Sequence, residues 1–220
     1  MDADADLART VAPLRKRLEA RHEAREQALA ASRDAIRAAA NAIRAVHRGE
    51  QDRAAALLAE AREHLATAVR VSQPHPEVRH AGFVADAAKE VAEAELTRAA
   101  LSGAQPGAQL PGPDEIAVDD VAWLHGLAET VGELRRASLD RVRSGDLDAG
   151  ERYLELMQEI LSALATIDVP DGLSRGLRRA TDAARAITER TRGDLTTAVG
   201  QRDLRRALEE HRAALERAGG

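Results

Sequence analysis

From Ala122 to Arg136 the chain reads AWLHGLAETVGELRR, a helical pattern that nonetheless keeps Gly126 and Gly132 in its interior. Each should cost roughly 1 kcal/mol against alanine at such a position. A helix that retains them needs something in return, such as the close approach of another backbone. On the same stretch Glu129 and Glu133 stand four residues apart and share a helix face. Upstream, AKEVAEAEL offers Glu90 and Glu93, three apart and again on one face. Two carboxylate pairs on two helices suit Mg²⁺, a hard cation that takes oxygen ligands.

The rest of the chain predicts helices and little else. Alanine, leucine and arginine dominate and β-branched runs are short, so an all-α fold is expected. The prediction is a single-domain antiparallel bundle of six to seven helices, which 220 residues can fill. Phe83, Trp123 and Tyr153 are the only aromatics, which leaves Leu, Val, Ile and Ala to build the core. Such a core gains little per residue, so a homo-oligomer that buries further surface is expected. With no cysteine, disulfides and thiolate metal sites are excluded. No run approaches 18 apolar residues, so no membrane span is expected. The acidic opening MDADADLART lacks the apolar run of a secretory signal, and cytoplasm is the expected compartment.

Along the chain, the first helix is predicted over Leu14 to His47, with Pro13 at its start and Gly49 beyond its end. The next spans Gln51 to Val71, and a third runs from Pro76 or Glu77 to Leu101. SGAQPGAQLPGP, residues 102–113, reads as a loop. Further helices are expected from Asp119 or Asp120 to Ser144, from Leu147 to Ile167 behind an Asp146 cap, and from Ser174 to Arg192. The implied organisation is an acidic segment over residues 1–13, a helical domain over 14–192 and an extra helix over 193–220. Leu195, Val199, Leu204, Leu208 and Leu215 give that last helix an apolar side for the bundle or a partner.

Charge is unevenly placed. Leu7 to Arg48 carries ten basic against four acidic side chains, while the whole chain stands at −5. That overall sign argues against indiscriminate nucleic-acid binding. Arg33, Arg37, Arg44 and Arg48 fall within roughly 60° of one another on a helix, either a solvated face or a phosphate-tracking stripe. His75 and His80 are five apart and do not share a face as a ligand pair would. Glu90 lies at the edge of an apolar stripe of Phe83, Ala87 and Ala94, an unusual place for a solvated glutamate. Glu129 and Glu133 alone read as a solvated face, but Ala122, Gly126 and Ala137 beside them suit close packing.

These residues resemble the translin and translin-associated factor X family, helical proteins of single-stranded RNA and DNA metabolism. The resemblance is carried by SRDAIRAAANAIRAVHRG (32–49), AREHL (61–65), GFVADAAKEVAEAE (82–95), WLHGLAETVGELRRASLDRVRSGD (123–146) and LATIDVPDGLSRGLRRATDAARAI (164–187). It covers about residues 14–190, and the GLAETVGELRR stretch is its most specific part. The resemblance implies a translin-like bundle assembled into a closed, octameric shell. Of the two branches, factor X carries ribonuclease carboxylates and translin lacks them. The family pairs fall here on Glu90 with Glu93 and on Glu129 with Glu133, which places the chain nearer factor X. Glu129 stands where factor X has an aspartate, a reach longer by about 1.5 Å.

The resemblance therefore implies a Mg²⁺-dependent endoribonuclease on single-stranded RNA, with Mn²⁺ as a substitute ion and single-stranded DNA as a second possible strand. Glu90, Glu93, Glu129 and Glu133 would hold the metal and carry catalysis. Arg33, Arg37, Arg44, Arg48 and His80 would hold the strand, and Arg136 would meet the phosphate. The alternative is a non-catalytic translin-like protein that encloses single strands. An all-α nucleotide pyrophosphatase also uses ExxE, but its second pair is spaced ExxD, one residue narrower than Glu129 and Glu133.

Overall fold

The computed structural model describes residues 3–102 and 109–218, with side chains described from residue 7 onward. The described residues form nine helices: α1 (Ala3–His47), α2 (Gln51–Ser72), α3 (Pro76–Arg79), α4 (Gly82–Ser102), α5 (Pro113–Ile116), α6 (Asp120–Ser144), α7 (Leu147–Leu164), α8 (Asp171–Ser174) and α9 (Leu177–Ala218). Three are single turns, so the six long helices carry the architecture, and the all-α expectation holds. No described helix is long and apolar enough to cross a membrane. Half of the loop expected over 102–113, residues 103–108, lies outside the described residues.

The chain divides into two compact units, one of residues 1–98 with 111–126, the other of 99–110 with 127–220. The first is built on α1, α2, α4 and the start of α6. Its core joins Ala35, Ala38, Ala39, Ala42 and Ile43 to Leu58, Ala61 and Leu65, and then to Ala87, Ala88, Val91, Ala94 and Ala122. Alanine fills most of these places, which lets helix axes approach toward the near end of the usual 8–10 Å range. Gains per side chain are small, and contact between backbones takes over from large interdigitating groups.

The second unit rests on α7 and α9. Leu147, Tyr153, Leu154, Leu156, Met157, Ile160 and Leu164 are buried on α7, whose first turn is capped by Asp146 accepting from the Ala149 N–H at 3.0 Å. The buried stripe of α9 is Leu177, Thr181, Ala184, Thr188, Thr191 and Leu195. Its three threonines sit in the core without penalty, because each hydroxyl donates to a carbonyl one turn back at 2.8–3.0 Å. Arg135 joins this arrangement, donating to Thr191 Oγ1 at 3.0 Å and pairing with Asp194 at 2.8 Å.

Several boundaries differ from the sequence expectation. Helix α1 begins at Ala3 and runs through Pro13. A proline removes one intrahelical hydrogen bond and strains the turn before it, yet the alanine- and arginine-rich flanks sustain the helix across it. Residues 7–23 of α1 are exposed, and burial begins in earnest at Ala28. The expected third helix is two helices. Val78 is buried and pins α3, the break falls at His80 and Ala81, and Gly82, a poor helix former, opens α4. The last two expected helices are one, because Gly193 lowers helix propensity without ending α9. Beyond the buried Leu195, Leu204, Leu208 and Leu215 of α9 are about 60% exposed.

Candidate metal centre

The start of α6 is held firmly. Asp119 Oδ1 accepts from the Ala122 N–H at 3.0 Å, a side-chain cap on the first turn. Trp123 donates through its indole Nε1 to the Pro111 carbonyl at 2.9 Å, tying the incoming segment to the helix. One turn later Gly126 meets α4. A Cβ at that position would lie 2.7 Å from Ala92 Cβ, 2.8 Å from the Glu93 nitrogen and 3.0 Å from the Lys89 carbonyl oxygen. No side chain fits there, so the two backbones touch, and this contact answers for the glycine. Gly132 has open space where its Cβ would be. Nothing in the structure explains it.

The contact spans Lys89 to Glu93 on α4, the stretch that carries Glu90 and Glu93. Glu129 follows Gly126 by three residues on the same unbroken helix, so it emerges one turn from the contact point. One carboxylate oxygen from each of Glu90, Glu93 and Glu129 lies within 4.8 Å of the others, all three residues half-buried. Glu133 stands outside that group, 3.8 Å from Arg136 Nη1. Three of the four glutamates expected to converge therefore do so. Arg136 is itself exposed.

The donor set suits Mg²⁺. Bonds of about 2.1 Å place neighbouring ligand oxygens about 3.0 Å apart and opposite ones about 4.2 Å apart in an octahedron. A spread of up to 4.8 Å closes to that with small side-chain rotations. Three carboxylates with no thiolate or imidazole also match the ligand preference of a hard ion.

Two charged groups of α4 escaped sequence reasoning, one at the centre and one away from it. Lys89 Nζ stands 2.9 Å from Glu90 Oε1, with both side chains about three-quarters buried. Its signal was available, for Lys89 is one of only two lysines in the chain. Glu95 is buried with its Oε1 3.0 Å from Arg62 Nη1 as an ion pair without hydrogen-bond geometry, and among the described residues neither this oxygen nor the Nε of Arg98 has a hydrogen-bond partner. Burial pushes the Glu95 carboxyl above its ordinary value, against the opposing pull of Arg62 and Arg98. The pattern AEAEL hid this, since Glu93 and Glu95 fall on different sides of the helix.

The basic stripe is exposed at Arg33, Arg37 and Arg44 of α1 and at Arg48 in the turn just beyond it. Arg37 pairs with Asp34, Arg44 donates to Asn41 Oδ1 at 2.5 Å and Arg48 to Glu50 at 2.6 Å. The Arg48 hydrogen bond holds the Glu50 carboxyl below its usual value. Exposed pairs of this kind are weak and leave the guanidiniums open to exchange for phosphate. His80 is exposed at the break between α3 and α4.

No protein-family model matches the chain. The structure of an AfC3PO–duplex RNA complex superposes with a TM-score of 0.76 at 33% identity, covering 88% of this chain and 98% of that one. The crystal structure of AfC3PO gives 0.74 with the same identity and coverage. Apo-NeC3PO gives 0.76 at 16% identity, over 86% of this chain and 96% of that one, a likeness of fold alone. An uncharacterized protein of Methanocaldococcus jannaschii is 35% identical over 86 residues, which take in 39% of this chain and 38% of that protein's length. With a third of its residues shared along nearly the full length of a C3PO chain, this chain belongs to the translin/C3PO family.

Proposed function

We propose that the chain is a Mg²⁺-dependent endoribonuclease of the factor X type, cutting single-stranded RNA within a closed, octameric homo-oligomer in the cytoplasm. The observation that carries the proposal is the convergence of Glu90, Glu93 and Glu129 where Gly126 brings two helix backbones into contact. The AfC3PO structure with duplex RNA supports an RNA substrate, and it makes duplexes the second strand class to test.

In this reading Glu90, Glu93 and Glu129 hold the cation, with Glu133 one turn further along the same helix. Mg²⁺, when bound, supplies positive charge against the negative charge that grows on a phosphate under attack. The half-buried carboxylates exclude part of the solvent and strengthen their own hold on a cation. Arg136, exposed on the Glu133 turn, takes a non-bridging phosphate oxygen in this reading. Arg33, Arg37, Arg44, Arg48 and His80 hold the strand through its backbone, which carries no sequence information.

Incubation with labelled single-stranded and duplex RNA, with Mg²⁺, with Mn²⁺ and with EDTA, tests the proposal. Internal cleavage that needs the metal and disappears in Glu90→Gln supports it. RNA retained intact by wild type under every condition favours the second reading, a translin-like protein that binds without cutting. One observation lends that reading weight, that Glu133 lies outside the carboxylate group, and so does the resemblance, which implies an aspartate where this chain has Glu129.

A further inference from the structure

We propose that Lys89 is the resident counter-cation of the carboxylate centre, and that a divalent ion loads by displacing its ammonium from Glu90. The inference rests on the metal-centre reading above and concerns how that centre fills. Glu90 is one of the three clustered carboxylates, and its Oε1 lies 2.9 Å from Lys89 Nζ. The pair is shielded, with 24% and 27% of the two side chains exposed, so solvent and salt screen it less than a surface pair.

Consecutive residues on a helix point about 100° apart and do not ordinarily face each other. Lys89 and Glu90 meet only because a long flexible stem swings toward the carboxylate. Three carboxylates within 4.8 Å of one another repel without a cation nearby, and the ammonium supplies one. A metal held by Glu90 would place two positive charges side by side, so metal and ammonium compete for that residue.

The choice of residue fits an exchangeable charge. Of 32 basic residues only Lys16 and Lys89 are lysines. A guanidinium would grip Glu90 through two parallel hydrogen bonds, whereas an ammonium is a compact, strongly hydrated point charge that lets go more readily. A permanent structural clamp would favour arginine, which the chain uses almost everywhere else.

The test is calorimetric titration of the full chain with MgCl₂ and MnCl₂, with melting curves recorded alongside, and it needs no RNA and no activity. Lys89→Met should melt lower than wild type without metal and bind Mg²⁺ at least about fivefold more tightly. Lys89→Arg, which keeps the charge, should bind no more tightly than wild type. Lys89→Gln provides a second neutral variant should the methionine variant fail to fold. Neutral variants that bind Mg²⁺ with wild-type affinity, while Glu129→Gln loses binding, would overturn the exchange and leave the metal centre standing. A wild type that does not bind Mg²⁺ or Mn²⁺ would refute the metal centre itself, and the exchange with it.

Discussion

The acidic face of α4 and α6 and the basic face of α1 look alike as patterns, since both are charged residues at helical spacing. The fold treats them differently. Glu90, Glu93 and Glu129 are half-buried and drawn together, because Gly126 allows one backbone to lie against another. Arg33, Arg37, Arg44 and Arg48 are exposed, and three of them engage neighbours on or beside their own helix. The acidic face has its geometry imposed by tertiary packing, and the basic face has only the geometry of its own helix. A defined site for a small ion needs the first kind. A long polyanion needs only the second, as phosphate contacts tolerate mobile partners.

If packing at Gly126 sets the acidic geometry, disturbing it should do the most damage. Gly126→Val should destabilise the protein by about 3 kcal/mol, as overpacking against Ala92 and the α4 backbone forces the helices apart. Chemical denaturation would measure it, and a cost below about 1 kcal/mol would mean the contact is soft. The contrast sharpens at Gly132, six residues on in the same helix. There a Cβ meets nothing, so Gly132→Ala should stabilise by up to about 1 kcal/mol. A destabilised Gly132→Ala would point to a partner that occupies that space.

The basic face should respond only where RNA is concerned. Changing Arg37 and Arg44 together to alanine should leave the melting temperature nearly unchanged and weaken single-stranded RNA binding. The slope of log affinity against log salt should fall by roughly 0.7 for each phosphate that is no longer neutralised. An unchanged slope would make the stripe a solvated face.

The smallest expected effect concerns Glu95. Its carboxyl is raised by burial, so the neutral form is favoured in the folded protein. Its contribution to stability is fully present below the unfolded value and is lost as pH rises through the folded one. Glu95→Gln, neutral at every pH, should gain melting temperature relative to wild type as pH rises from 4 to 7. A difference that stays flat or shrinks over that range would show that Arg62 holds the carboxylate ionised.

Much of this was legible in residues alone. The helical period, the Asp146 cap and the carboxylate pairs are local properties, written within a turn or two of sequence. Gly126 could be read as a demand for close approach, though not what would approach it. The continuity of α1 through Pro13 and of α9 through Gly193 was hidden, because a single poor helix former shifts the balance by only a few kcal/mol. The separation of Glu133 from the other three glutamates was equally hidden. Residues four apart share a face, but which of them a neighbouring helix reaches depends on where the two axes meet. Lys89 and Glu95 were missed for the same reason, as their partners are defined by burial.

The central claim is that these carboxylates form a catalytic metal centre, and a single experiment meets it directly. Wild type and Glu129→Gln should be compared for their melting temperature with and without millimolar Mg²⁺ and for cleavage of labelled RNA. Glutamine keeps the shape and removes the charge, so the variant should fold and bind RNA as wild type does. Mg²⁺ should raise the melting temperature of wild type alone, since an ion that binds only the folded state stabilises it. Cleavage should be lost in the variant. Equal cleavage by the two proteins, or melting curves that Mg²⁺ leaves unmoved in both, would contradict the claim.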